Sequence, residues 1–355
     1  VSFSVLLLLA GLGAAPQPLA DTTQPYVLSA GNMKIQQLGQ DKITWLYGQV
    51  EIIHGSTILK GDTARISTLT EKASVWGRVT IYDRTVKITG RRADYLKPTG
   101  RASVFGRPRL NDAGWDLTAD SLAYSRPQAK SYAYGRVEII DSSQHNKLYG
   151  DYGEYWHDQG YGFVTGRARM ESYDKKNRDK KSVITSGKME VFQASGLAVA
   201  TDSVRFAQDS LWAACGKMTY FKTAGRMMLE QDPSVWRRDA LISGRLMELD
   251  LRGDTLRNAW VRDSAVVRQF TEASPDTDII TCDSLKADFD QGQMSYVHAW
   301  GRVWCQYHRR QKDNSTGRNL AQGQEMEFFL SQGKTQRILM NKKAKGAYHS
   351  REEVK

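Results

Sequence analysis

The chain has 355 residues, with 50 Lys+Arg against 39 Asp+Glu for a formal net charge of +11, and 40% of its residues are hydrophobic. With 8 Pro and 30 Gly it is neither collagen-like nor disordered throughout, and its length allows one to three domains or one repeat array. The basic excess points to an anionic partner such as nucleic acid, phospholipid or phosphorylated glycolipid, without choosing among them.

The first element is an apolar run from Val5 to Ala15. It has the length of a signal-peptide core and is too short to span a bilayer comfortably. Ala20-Asp21 is a plausible cleavage point. The expectation is a signal peptide at 1–20 and an exported mature chain from Asp21, the alternative being an uncleaved anchor. No basic residue precedes the run, and no Cys near the cleavage point marks a lipoprotein.

A short motif then recurs. It reads aromatic-Gly-Arg/Gln-Val at Tyr47-Gly48-Gln49-Val50, Trp76-Gly77-Arg78-Val79, Phe105-Gly106-Arg107-Pro108 and Tyr134-Gly135-Arg136-Val137, with the glycines 29 residues apart. Weaker copies follow at Gly166-Arg167-Ala168, Asp202-Ser203-Val204 and Asp263-Ser264-Ala265, and a full one at Trp300-Gly301-Arg302-Val303. Between them lies a second motif built on a small residue, at Ala30, Gly61, Gly90, Ala119, Gly150, Ser186, Cys215, Gly244, Cys282 and Gly323. Regular copies of this kind mark a tandem array. Within each motif apolar residues alternate with polar ones, the signature of half-buried strands, and clusters such as Pro98-Thr99-Gly100 mark turns. No stretch after residue 20 shows a long helical period. The fold class is therefore all-β, about two strands per 29-residue unit, over an array at 21–349 that could divide into halves 21–173 and 182–349, with 350–355 as a tail.

Stacking the copies produces apolar columns on one side of the strands. One runs Val50, Val79, Pro108, Val137, Ala168, Val204, Ala265, Val303 and the next Ile52, Ile81, Leu110, Ile139, Met170, Phe206, Val267, Cys305. The second motif supplies Ala64, Ala93, Leu122 and their successors, then Ile66, Tyr95, Tyr124, Tyr155 and theirs. The opposite face carries an aromatic ladder (Tyr47, Trp76, Phe105, Tyr134, Trp300) and an arginine ladder (Arg78, Arg107, Arg136, Arg167, Arg302), with Asp62, Asp120, Asp151 and Asp283 next to the small residues. Stacked like charges repel, so the arginines are expected to be solvated and interleaved with these acids. The other role open to them is a strip that meets anionic head groups. Hydrophilic tips at 174–181, 274–278 and 308–315 read as solvated hairpin ends.

Chemistry is sparse. The three cysteines, Cys215, Cys282 and Cys305, form no CxxC and fall in the small or apolar columns, which predicts a packing role. The six histidines are scattered, with no metal-ligand spacing, and there is no P-loop, HExxH, GxSxG or helix-opening GxGxxG. The reading is no enzyme, no cofactor and no metal. Nucleic-acid binding by stacked aromatics and arginines is conceivable, but export argues against it.

The segments Val75-Trp76-Gly77-Arg78-Val79-Thr80-Ile81 and Val86-Lys87-Ile88-Thr89-Gly90-Arg91-Arg92-Ala93-Asp94-Tyr95, with Leu46–Ile52 and Leu59–Ala64, resemble the OstA-like (LptA-type) family of periplasmic lipopolysaccharide transport proteins. The likeness extends over roughly 26–349, strongest in 26–172, and the length resembles the long OstA-like proteins of Bacteroidetes-type bacteria rather than a minimal LptA domain. It implies an elongated β-jellyroll, a V-shaped half-pipe with an apolar inner surface, located in the periplasm. It implies lipopolysaccharide as ligand, its lipid A acyl chains in the groove, and transport from inner to outer membrane. The implied partners are an inner-membrane Lpt transporter complex, an LptD-like outer-membrane translocon and end-to-end copies of the chain. The length leaves open a soluble bridge or part of a larger outer-membrane component; the absence of a following barrel region favours the bridge. The groove is expected along Val50, Ile52, Val79, Ile81, Ile88, Tyr95, Leu110, Leu117, Tyr124, Val137 and Ile139, residues that could equally fill a closed core. The alternatives are a closed parallel β-helix that binds or cleaves polysaccharide, and an envelope scaffold.

Overall fold

The computed structural model describes residues 24–350 apart from 113–114, 142–145, 174–180, 209–210, 238–239, 253–254, 272–273, 291–292, 311–315 and 332–333. The expected signal peptide, most of the 174–181 tip, part of the 308–315 tip and most of the tail lie outside the described residues. The described residues form 26 strands and a single three-residue 3-10 turn, Lys97–Thr99. Every described pairing whose register is resolved is antiparallel, which excludes the parallel β-helix. Two compact units are present: a first holding the described residues up to Ser172 together with Gly187–Leu197, and a second holding Tyr173–Ser186 and the described residues from Ala198 onward.

In the first unit long strands follow one another as hairpins: Asp41–His54, Thr57–Ser67, Lys72–Asp83, Val86–Leu96, Lys130–Asp141, Asn146–Trp156 and Tyr161–Tyr173. Each is bent in the middle by the aromatic-Gly-Arg motif or by facing it. Between Trp76 and Val79 the strand carries one residue more than its partners: Trp76 pairs with Thr63 and Arg92, whereas Val79 pairs with Gly90. The same slip occurs between Tyr47 and Val50, Tyr134 and Val137, and, in the second unit, Arg262 and Ala265 and Trp300 and Val303. A β-bulge of this kind bends the strand and re-aims the side chains beyond it. At most of these bulges the backbone is left-handed at two successive residues, as at Gly135 (φ +69°) and Arg136 (φ +44°) or Gly301 (+72°) and Arg302 (+44°), whereas at Gly77-Arg78 only the glycine is.

The bend gives each strand two arms, so the stacked strands form two limbs that meet at a corner of bulges. One limb contains 41–47, 72–76, 92–96, 101–105, 121–125, 130–134 and 152–156; the other contains 50–54, 79–83, 86–90, 109–112, 115–118, 137–141 and 146–150. At Gly106-Arg107-Pro108 the bend becomes a break, because Pro108 has no N–H for the ladder. Arg101–Phe105 and Arg109–Asp112 are accordingly separate strands, both paired with Val86–Leu96.

Corner geometry explains the second motif. Gly61 and Gly90 face Val50 and Val79 across the bulges. A Cβ on Gly61 would lie 2.4 Å from a methyl of Val75, and one on Gly90 2.5 Å from a methyl of Val104. The limbs are closest there, and only small side chains fit. The arginines are tied to the acids beside those small residues: Arg78 to Asp62 at 2.9 Å, Arg136 to Asp120 at 2.5 Å, Arg167 to Asp151 at 2.7 Å and Arg302 to Asp283 at 2.7 Å. Hydrogen bonds from these arginines hold the carboxyls of Asp62, Asp120 and Asp151 below the usual carboxylate range. Asp62 also accepts the bulge N–H of Arg78 at 3.1 Å. The ladder of like charges is thus interleaved with acids and fastens the corner, although each pair is solvent-exposed and individually weak.

In the second unit the same architecture runs through Thr255–Thr271, Ser274–Asp290, Gln293–Arg310 and Thr316–Ser331. Four left-handed pairs there, Asp202-Ser203, Gln231-Asp232, Asp263-Ser264 and Lys342-Lys343, contain neither Gly nor Arg. Cys215, Cys282 and Cys305 are buried and free; burial pushes the thiol of Cys215 up to about 11 and that of Cys282 up to about 12.

Gly77 sits at φ +100°, and a Cβ there would lie 2.2 Å from Asp62 Oδ2. Gly77→Ala should cost about 1–3 kcal/mol in denaturant unfolding. The double variant with Asp62→Ala should recover part of that loss, and simple additivity of the two would show that the corner contact is not the cause.

Candidate functional site

The space between the limbs is the candidate site. In the first unit its lining is apolar. Val50, Ile52, Val79, Ile81, Ile88, Tyr95, Leu110, Leu117, Tyr124 and Val137 are all buried in one core with Leu46, Leu59, Val75 and Val104. Of the residues expected along a groove, Ile139 alone is only partly buried. All eleven therefore point inward, yet ten are packed against the opposite limb rather than exposed along an open trough.

The limbs part around Ile139. A cleft of about 30 Å³ lies there, lined by Trp115, Leu117, Ile139 and Leu148 from one limb and Ala133, Tyr155, Val164, Met189 and Val191 from the other. That is room for about one water, so a larger ligand requires the limbs to separate. Trp115 and Tyr155 meet edge to face across it, ring centroids 5.2 Å apart.

The side of the first unit away from the corner is closed by polar side chains. At the far ends of one limb, four residues after each corner valine or proline, stand His54, Asp83, Asp112 and Asp141, spaced 29 residues apart. They point inward and are buried, 0%, 1%, 6% and 4% exposed. The far end of the other limb presents Tyr95, Tyr124, Tyr155 and His157. Tyr95 Oη lies 2.6 Å from His54 Nδ1. Tyr124 donates to Asp83 Oδ2 at 2.8 Å. His157 Nδ1 lies 2.7 Å from Asp112 Oδ2, and its Nε2 lies 2.8 Å from Ser131 Oγ. Two arginines cross the same seam: Arg126 donates to the His54 carbonyl at 2.5 Å, and Arg84 meets Asp158 at 3.4 Å. Tyr26 covers the first rung, 5.5 Å from the His54 ring, and donates to the Glu71 carbonyl.

Burial, and then the charge of Asp83, push the Tyr124 phenol well above its usual range, so it stays protonated and donates. Burial and the charge of Asp112 push Tyr155 up to about 12. Buried polar groups are costly unless paired, and each such hydrogen bond contributes only about 0.5–1.5 kcal/mol net. The seam therefore holds the limbs together through a handful of modest, separable bonds.

In the second unit the equivalent positions are Gln208, Gln269 and Tyr307, and the last two are exposed. Inner-column residues Val267, Ile280 and Phe328 are only half-buried. On the outer face of that unit, a hollow of about 530 Å³ carries Trp212 and Trp236, paired across strands and exposed. Edge strands in each unit expose apolar side chains: Met33, Ile35 and Leu38 on Asn32–Leu38, and Ile338 and Tyr348 on Lys334–Asn341 and Lys345–Ser350. Among the described residues no group of three His, Cys, Asp or Glu is placed to hold a metal, and no helix is long and apolar enough to cross a membrane.

Sequence reasoning found the tyrosine column but missed its partners. His54 and His157 read only as scattered histidines, and Asp83 and Asp141 were not singled out. The signal was present in the interval from His54 to Asp83 to Asp112 to Asp141, which equals the repeat.

Residues 22–176 match the model of a family described as OstA-like protein. No curated protein matches the chain. Among solved structures the chain is similar to LptH, the LptA homologous periplasmic component of the conserved lipopolysaccharide transport device from Pseudomonas aeruginosa, with 18% identity, 30% of this chain and 75% of that chain covered, and a TM-score of 0.27. That overlap is too loose to transfer any residue's role.

Replacing Tyr124 by Phe removes one seam hydroxyl and leaves Asp83 short of a donor. The variant should lose about 1–3 kcal/mol in chemical denaturation, while Tyr82→Phe, at an exposed position, should stay within about 0.5 kcal/mol of the wild type.

Proposed function

We propose, from the premise that residues 22–176 are an OstA-like segment, that this chain binds lipopolysaccharide and carries it across the periplasm. The family match supports a role of lipopolysaccharide-transport type, and OstA-like proteins bind and carry rather than catalyse. The observation that carries the reading is the interior of the first unit: two limbs face one another over an apolar surface that repeats every 29 residues. Acyl chains lodged there gain about 0.8 kcal/mol for each CH₂ removed from water. Repetition supplies near-equivalent sites, so a chain can advance from one to the next without leaving a single deep well. The headgroup stays at the seam, where histidines, tyrosines, carboxylates and arginines are concentrated.

Lipid would arrive from an inner-membrane Lpt transporter complex and leave to an LptD-like outer-membrane translocon. Asn32–Leu38 and Lys345–Ser350, each paired on one side among the described residues, carry exposed apolar side chains, a surface suited to strand addition by the next protein or by a second copy. Basic residues in excess suit a phosphorylated glycolipid.

Site-specific photocrosslinking in cells tests the proposal. A benzophenone side chain at Ile139, inside the cleft, should yield lipopolysaccharide adducts, and one at Arg136, on the outer corner, should not. A folded, exported protein that yields adducts at neither position, or equally at both, contradicts an internal lipid path.

A further inference from the structure

Residues in an apolar interior that recur at the repeat interval and are polar every time call for an explanation beyond packing. His54, Asp83 and Asp112 occupy inward positions where Val, Ile or Leu would close the mouth of the first unit permanently. Each is instead met by a phenol or imidazole from the opposite limb, at 2.6–2.8 Å. The bonds lie at the ends of both limbs farthest from the bulge corner. Separating the limbs there bends the strands about the corner and breaks no backbone ladder within either limb. In the second unit the corresponding positions are Gln208, which is buried, and Gln269 and Tyr307, which are exposed.

We propose that this seam is a latch. The side chains that hold the limbs together in the closed first unit exchange one another for the headgroup of an amphiphile, while its acyl chains pass between the limbs. Tyr95, Tyr124, His54 and His157 can bond sugar hydroxyls, and Arg126 and Arg84, freed from a carbonyl and from Asp158, can bond phosphate. In the exchange the seam groups that part from one another gain headgroup partners, so opening the mouth does not strand the donors that bridge it. This inference rests on the reading of the chain as a lipopolysaccharide carrier and adds the gate through which the lipid enters.

The ion pair of Arg84 and Asp158 offers a place to lock the latch. Both belong to surface turns outside the core. The variant Arg84→Cys/Asp158→Cys, joined by a short bismaleimide, staples the limbs at the second rung; the buried native thiols stay unlabelled. Purified full-length protein is then mixed with fluorescently labelled lipopolysaccharide, and capture is followed before and after stapling. The stapled variant should capture lipid at least tenfold more slowly than the same variant left unstapled, which is the reference because it lacks the same ion pair. Tyr124→Phe, which loosens the same rung, should capture it several-fold faster. Equal capture with and without the staple overturns the latch and leaves the carrier reading standing. No capture by the wild type or the unstapled variant overturns the carrier reading itself, and the latch with it.

Discussion

The whole architecture depends on a two-residue corner. One surplus residue with left-handed backbone, inserted at the same point of successive strands, turns a flat antiparallel sheet into two facing limbs. The position of that corner dictates the rest. Small residues are required opposite it because the limbs converge there on Val75 or Val104. Arginines beside it pair with the acids of the neighbouring strand, which caps the bulge N–H and prevents a column of like charge from forcing the stack apart. The arms diverge from the corner with their apolar faces inward, and that divergence creates an interior at all.

An interior made this way has one covalent side and one side that is held only by side chains. On the covalent side the strands run through; on the other they end in hairpin turns. The first unit finishes its free side with hydrogen bonds rather than with methyl groups, the feature on which the proposed latch rests. In the proposed carrier the apolar walls would supply affinity for acyl chains, and the polar edges both closure and a place for a headgroup. The narrow cleft beside Ile139, between Trp115 and Tyr155, is where the walls already stand slightly apart.

Much of this was legible in the residues. The 29-residue interval revealed the array, alternation revealed strands, and the column of Val50, Val79 and Val137 with its neighbours revealed which side faces inward. The corner motif was visible as a motif, but its meaning as a bulge was not, because one surplus residue looks like any other in a linear pattern. Two corners escaped altogether: Gln231-Asp232 and Lys342-Lys343 adopt the left-handed pair without the Gly-Arg marker. The closure of the seam was hidden for a different reason. Asp83 meets Tyr124, 41 residues away, only because both limbs return to the same side, and no local pattern records a contact between limbs. An open trough was the simpler expectation from apolar columns alone; inward-pointing acids and histidines at their ends make it a closed one.

The central claim is that lipid travels between the limbs of the first unit and that they part to admit it. Electron-spin distance measurement between labels at Arg84→Cys and Asp158→Cys, one on each side of the mouth, tests it most directly. On addition of lipopolysaccharide the distance should lengthen and return when the lipid is removed. An unchanged distance in protein that has demonstrably bound lipopolysaccharide would contradict the account and place the lipid on some other surface.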